Sequence, residues 1–252
     1  MKNTIKAALM GMTMLLVSSA GASDDGSKVH WSYHGDDGPE HWGELSSDFA
    51  RCRDGLNQSP VNLEAALDTE LPELVFQYHG TPLKEINNGH TIMLPVQPGS
   101  FLEMPELSER YQLQQAHFHS PSEHTINGEH FDMEIHLVHS GEDGDLTVVG
   151  IMINEGGENP KLTQIYAFMP EHSGETKVAP VSVFEAGVLP PTRDYFTYNG
   201  SLTTPPCSEG VRWIVLRETL TASAEQIARF KELVGPATNR PVQPINARQI
   251  LN

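Results

Sequence analysis

Turn-forming residues constrain this chain more than any other feature. Eighteen prolines and 21 glycines are spread along its 252 residues. Proline removes a backbone donor and glycine favours tight turns, so together they cut the chain into short segments. Short segments of this kind suit many strands joined by turns. No internal repeat or low-complexity linker is visible. The length supports one well-buried core. The expectation is a mainly β (α+β) chain, sheet-dominated, with small peripheral helices.

Four segments read as strands. Residues 132–136 alternate, with Met133 and Ile135 on one face and Asp132, Glu134 and His136 on the other. Residues 111–119 are an expected neighbour. Residues 146–153 and 211–216 are nearly all apolar, as befits strands buried on both faces. Helices are few. Ser223 and Gln226 have capping-box spacing, Ile227, Phe230, Leu233 and Val234 form one stripe, and Gly235-Pro236 stops it. Asn159-Pro160 opens a second helix, with Leu162, Ile165 and Phe168 inward.

The N-terminus reads as an address. Lys2 and Lys6 precede an apolar run over residues 7–17, and Ala20-Gly21-Ala22 has the small residues a signal peptidase reads. The run is too short to span a bilayer. Residues 1–22 are therefore expected to be a cleaved signal, leaving 23–252 as the mature domain. Export implies the periplasm in a two-membrane bacterium and secretion otherwise. Losing Lys2 and Lys6, two positive charges, takes the formal net charge from −17 to −19. Such an acidic chain is a poor partner for nucleic acid or anionic membrane surfaces, and no later stretch is apolar enough for membrane insertion. Nothing in the sequence opposes a homodimer. The two cysteines, Cys52 and Cys207, form an even pair, which in an exported protein favours a disulfide. Closing so long a loop removes about 4–5 kcal/mol of unfolded-state entropy in the simplest treatment.

Twelve histidines are present, and the question is which converge. His117 and His119 lie two apart in a segment read as a strand, so both rings share a face while Phe118 takes the other. In the segment from Glu134 to His139, His136 shares a face with Glu134 and Val138, and His139 falls on the opposite one. Parity thus selects His136 as the partner of the first pair. Three neutral imidazoles with a fourth position open is a catalytic zinc arrangement, since structural zinc sites are closed by four protein ligands. Gln115 shares a face with His117 and Glu134 with His136. Each could accept the spare ring N–H of a metal-bound histidine, or simply face solvent unless that face is enclosed.

At this point the sequence resembles the α-class carbonic anhydrases of the exported bacterial type. The likeness rests on GPEHW at 38–42, QSPV at 58–61, NNGH at 87–90, HFH at 117–119, SEH at 122–124, EIHLVH at 134–139, GSLTTPP at 200–206 and RPVQP at 240–244, in that order. The resemblance implies one large, twisted, mostly antiparallel central sheet with a conical active-site cleft. It implies one Zn2+ per chain on His117, His119 and His136, and carbon dioxide, water and bicarbonate as partners. Thr203 matches the residue that accepts a hydrogen bond from zinc-bound hydroxide, and Glu123 the carboxylate that takes the Thr203 proton. His90 matches the proton shuttle. Val138, Val148, Leu202 and Trp213 match the apolar wall for carbon dioxide, Thr204 and Tyr33 the polar residues that order water, and Cys52 with Cys207 the disulfide of exported members. Met93 and Ser120 depart from many relatives at positions expected on the cleft rim, which bears on rate and inhibitor preference.

The chemistry suits the residues. Hydroxide is scarce at neutral pH, and zinc lowers the pKa of its water to about 7, a value long established for this enzyme class. Neutral ligands leave the metal its full charge. A nonpolar wall suits a nonpolar substrate, and an imidazole with an ordinary pKa of about 6.5 can carry protons near neutrality. From spacing alone, His90 reads as an ordinary surface-loop histidine, and nothing in spacing pairs Thr203 with Glu123. Three competing functions remain: a non-catalytic module of the same fold, a zinc esterase, and a zinc buffer. Intact histidines weigh against the first, and the absence of HExxH against the second, although activated esters suit the same nucleophile as side substrates. The third requires several weak sites instead of one tight one.

Overall fold

The computed structural model describes residues 29–183 and 188–252. The expected signal segment lies outside them. Among the described residues, ten strands form one sheet. Its continuous path runs β10 (Thr176–Val183), β3 (Thr81–Asn87), β4 (Ile92–Pro95), β6 (Glu109–His119), β8 (Met133–Ser140), β9 (Leu146–Glu155), β12 (Glu209–Ala222) and β11 (Tyr195–Ser201). Off this path, β2 (Val75–Gln77) pairs with β5 (Phe101–Met104), which pairs with β6. Only β9 and β12 run parallel within the sheet. The remaining pairs are antiparallel. Two short strands, β1 (Asn62–Leu63) and β7 (Thr125–Ile126), form a separate parallel pair.

The strands read from sequence all form, with longer bounds. Asp132 is the exception: β8 begins at Met133, and the Asp132 carboxylate instead accepts from the Glu155 amide at 2.6 Å. Alternation in β8 does not separate core from solvent, because Met133 to Leu137 are all buried. It separates two interiors. Ile135 and Leu137 join the main core with Phe118, Val149, Ile151, Ile214 and Leu216. Val138 packs on a second core on the opposite face, with Val148, Met152, Trp213 and Val215. Strand β9 is buried on both faces from Thr147 to Ile153, as its apolar run requires.

Helices are short. Helices α1 (Trp42–Leu45) and α2 (Arg51–Asp54) lie near the N-terminus. Helix α3 (Pro160–Tyr166) is capped by the Asn159 side chain and buries Leu162 and Ile165. Phe168 follows its last turn but still packs on the main core. Helix α4 (Ala224–Val234) begins with the Ser223–Gln226 capping box, and Phe230 lies on Phe118 with ring centroids 6.0 Å apart. None of the described helices is long and apolar enough to cross a membrane. Cys52 in α2 and Cys207, 155 residues later, form a disulfide.

Candidate active site

Three adjacent strands build the site. In strand register His117 on β6 lies directly opposite His136 on β8, and His119 opposite Glu134. Directly opposed side chains stand roughly 5 Å apart at Cβ. The next residue opposite His136, on β9, is Gly150. A Cβ there would lie 2.7 Å from Glu134 Oε1, so only glycine admits the Glu134 carboxylate. The ring centroids of His117, His119 and His136 are 4.5–5.1 Å apart, and one nitrogen from each falls within 4.8 Å of the others.

Fixed acceptors decide which nitrogens face inward. His117 Nδ1 donates to Gln115 Oε1 at 2.9 Å, His119 Nδ1 to the Thr238 carbonyl at 2.5 Å, and His136 Nε2 to Glu134 Oε1 at 2.9 Å. A carbonyl or carboxylate oxygen only accepts, so each of these nitrogens carries the proton. The lone pairs are left on Nε2 of 117, Nε2 of 119 and Nδ1 of 136. His119 Nε2 is buried without a hydrogen-bond partner, as is Glu123 Oε2. Burial lowers all three histidine pKa values, that of His119 to about 4 and that of His117 well below its ordinary range. The rings are therefore neutral at pH 7, the form that ligates a metal.

A second grouping of His124, Glu134 and His136 has the spacing of a metal site. Its oxygens are already spoken for. Glu134 Oε1 accepts from His124 Nδ1 at 2.8 Å as well as from His136, and Oε2 accepts from the amides of Glu123 and His124 at 2.8 and 2.9 Å. Burial alone would raise this carboxyl's pKa, but the His124 and His136 rings hold it well below the usual range. It is a hydrogen-bond hub. Its network extends through His124 Nε2 to the Tyr198 hydroxyl at 2.6 Å, which reaches Ser59 Oγ at 2.9 Å.

Around the triad, the sheet sets out an apolar row. Val138, Val148 and Trp213 are register neighbours on β8, β9 and β12, one step from the His117–His136 pair. Leu202 packs on the same cluster. The Trp213 ring lies 4.8 Å from that of His136 and donates from Nε1 to the Ser201 carbonyl at 2.9 Å. Glu123 Oε1 accepts from the Arg240 amide at 2.8 Å, while Oε2 lies 3.5 Å from His119 Nε2 and 3.9 Å from His136 Nδ1. Burial raises the Glu123 pKa to about 7 against the opposing pull of His136, the Arg240 amide and the nearby Thr203 hydroxyl. Thr203 is buried; half-buried Thr204 opens the turn that follows it, closed by a Cys207 N–H to Thr204 carbonyl bond of 2.9 Å.

His90 is outside the three-histidine grouping, in the segment between β3 and β4. Its ring stacks on Trp31, with centroids 3.7 Å apart and planes 7° apart, and stands 6.4 Å from Tyr33. Burial, and secondarily His30, lowers its pKa. Met93 is half-buried and paired in register with His117. Ser120 is not on a rim. It is fully buried, its hydroxyl donating to the Asp132 carbonyl at 2.8 Å and its amide to Thr238 Oγ1 at 3.1 Å. His124, Thr238 and Arg240 received no role from sequence. Two of their contacts to the site, the Thr238 carbonyl and the Arg240 amide, use backbone atoms that leave no trace in residue type.

The family model for eukaryotic-type carbonic anhydrase matches residues 37–252. The chain belongs to that family. A carbonic anhydrase of Pectobacterium carotovorum is 42% identical over 252 residues, covering all of both chains. Among solved structures, the α-carbonic anhydrase of Thermovibrio ammonificans, in complex with sulfanilamide, superposes with a TM-score of 0.86 at 42% identity, covering 89% of this chain and 99% of that one. A hyperthermostable carbonic anhydrase from a hydrothermal vent chimney gives 0.85 at 45% identity, covering 88% and 99%. The chain is an enzyme of the carbonic anhydrase class, acting on carbon dioxide, water and bicarbonate.

Proposed function

We propose that this chain hydrates carbon dioxide reversibly to bicarbonate and a proton at one zinc ion per chain, held by His117 Nε2, His119 Nε2 and His136 Nδ1. The observation that carries the reading is the convergence of three neutral ring nitrogens, on half-buried His117 and buried His119 and His136, whose partner nitrogens are all pinned by acceptors. That donor set fits zinc: imidazoles alone, a position left for water, and an orphaned buried His119 nitrogen that a cation would satisfy. When bound, zinc supplies a Lewis acid that brings the pKa of its water to about 7.

The chain's own residues do the rest. Glu123 Oε2 has no bonded partner and lies near the Thr203 hydroxyl; it would accept a hydrogen bond from that hydroxyl, leaving the Thr203 oxygen to receive one from water at the site. This fixes the direction of a lone pair, an orientation effect. Val138, Val148, Leu202 and Trp213 hold carbon dioxide by packing, without a hydrogen bond that reaction would have to break. Gln115 and Glu134 keep His117 and His136 in the metal-binding tautomer. Tyr33 and Thr204 order water toward His90, and His90 passes the released proton to solvent. Activated esters are side substrates of the same nucleophile. The disulfide suits an exported protein, with residues 1–22 as its signal.

Two substitutions test the assignment. His136→Ala should lose both zinc and hydration. Glu123→Gln should keep zinc and lose rate. A Glu123→Gln protein whose zinc affinity collapses would make Glu123 a fourth ligand and remove the open position.

A further inference from the structure

The stretch from Gly235 to Pro244 belongs to no helix or strand. Yet Thr238 and Arg240 are each 1% exposed, and this stretch makes two of the bonds that set the site: Thr238 carbonyl to His119, and Arg240 amide to Glu123. A helix or ladder would fix such atoms through its own regular bonds. Here isolated bonds tie it down: the Thr238 amide donates to the Ser120 carbonyl at 2.9 Å, the Ser120 amide to Thr238 Oγ1 at 3.1 Å, and the Gln243 amide to the Pro60 carbonyl at 2.8 Å.

Between these two anchored points, the Arg240 side chain adds the remaining ties. Its Nη1 donates to Gln58 Oε1 at 2.9 Å and to the Ser59 carbonyl at 2.8 Å, and its Nη2 to the Cys52 carbonyl at 2.9 Å. Its guanidinium carbon lies 5.8 Å from the Trp42 ring centre. Burying a cation is costly, and an apolar side chain of similar size would usually stabilise at least as well. What the planar guanidinium adds is direction, with several donors held in one rigid fork. Gln58 extends the grip. While its oxygen takes Arg240, its Nε2 donates to the Cys207 carbonyl at 3.1 Å and to Glu209 Oε1 at 3.2 Å. Cys207 closes the turn that begins just after Thr203. The Arg240 guanidinium therefore ties the stretch that orients His119 and Glu123 to the segment bearing Cys52 and Ser59, and through Gln58 it reaches Cys207, at the end of the turn that follows Thr203.

We propose that Arg240, relayed by Gln58, is a positioning residue that registers Thr203 against Glu123 and holds His119 toward the metal. The proposal rests on the function given above. It predicts two separable effects. Arg240 acts on both the His119 and the Thr203 side of the site. Gln58 acts on the Thr203 side alone, because the Ser59 and Cys52 carbonyls still hold Arg240 when Gln58 is gone.

The test compares Arg240→Met and Gln58→Leu with the wild type, all loaded with zinc and assayed well below their melting temperatures, with rates per bound zinc. Zinc release to a chelator gives a reading independent of turnover. Arg240→Met should release zinc at least tenfold faster, within the 10- to 100-fold range typical of residues that orient ligands, and lose at least tenfold in kcat with little change in KM. Gln58→Leu should lose kcat by a similar factor but release zinc within about twofold of wild type. A folded Arg240→Met with wild-type kcat and wild-type zinc release overturns the proposal, because a purely structural anchor predicts that result. Should Arg240→Met not fold, Gln58→Leu decides alone, and wild-type kcat there overturns it too. If the zinc-loaded wild type itself fails to hydrate carbon dioxide, the functional assignment falls, and Arg240→Met then decides the His119 half through zinc release alone.

Discussion

Glu134→Gln is the most informative single substitution in this site, because the carboxylate accepts four hydrogen bonds and has no donor of its own. The His124 and His136 rings donate to Oε1, and the Glu123 and His124 amides to Oε2. Glutamine keeps the shape but supplies only one accepting oxygen. Whichever way the new amide turns, its NH2 faces two donors. Each orphaned buried donor costs about 1–3 kcal/mol, so stability should fall by about 2–6 kcal/mol. If the NH2 meets the rings, His136 relieves the clash by moving its proton to Nδ1, the nitrogen facing the metal. Zinc affinity should then fall 10- to 100-fold, about 1.4–2.7 kcal/mol. Urea unfolding with and without zinc measures the first effect, and competition against a chelator of known affinity the second. The reasoning is refuted if Glu134→Gln unfolds within about 0.5 kcal/mol of wild type, the range of a neutral surface change, and binds zinc equally well.

Other perturbations follow from the same geometry. Gly150→Ala puts a Cβ 2.7 Å from Glu134 Oε1, so it should cost about 1–3 kcal/mol and loosen zinc although residue 150 has no polar side chain; thermal melts and chelator competition check both. His139 is fully buried, 2.6 Å from the Tyr78 hydroxyl, and burial lowers its pKa to about 4. Between about pH 6.5 and 4 the unfolded chain binds a proton that the folded chain refuses, so this histidine makes stability fall as pH falls, by about 3 kcal/mol across the window. Urea unfolding of wild type and His139→Gln at pH 7 and 4.5 should show about 2.4 kcal/mol of that difference, and parallel pH curves would refute it. His90→Ala should keep zinc but slow turnover, with recovery in small imidazole buffers; no recovery in stopped-flow assays would end the shuttle assignment.

Much of the fold was legible because period-two patterning survives even where both faces of a strand are buried. In β8 the alternation separated Glu134, His136 and Val138 from Ile135, Leu137 and His139, and this parity singles out His136. Strand β6 was less transparent. Its register shifts between Leu113 and Gln115. Leu113 lies in the main core with Ala116 and Phe118, while Gln115 bonds His117 on the other face. An unbroken strand would have put Leu113 on the histidine face. Such a bulge has no obligatory residue signature. The Thr238 carbonyl and the Arg240 amide were illegible for a different reason: any residue supplies those atoms, and only the irregular path after α4 brings them near His119 and Glu123. Ser120 was misread because a buried serine satisfied by backbone looks, in sequence, like a surface one.

Metal content measured together with stopped-flow hydration of carbon dioxide, on the mature protein before and after chelation, tests the central claim most directly. One zinc per chain, hydration lost with the metal and restored in proportion to zinc returned, is the predicted result. Hydration that persists in fully stripped protein, or one tightly bound zinc with no hydration at all, would contradict it.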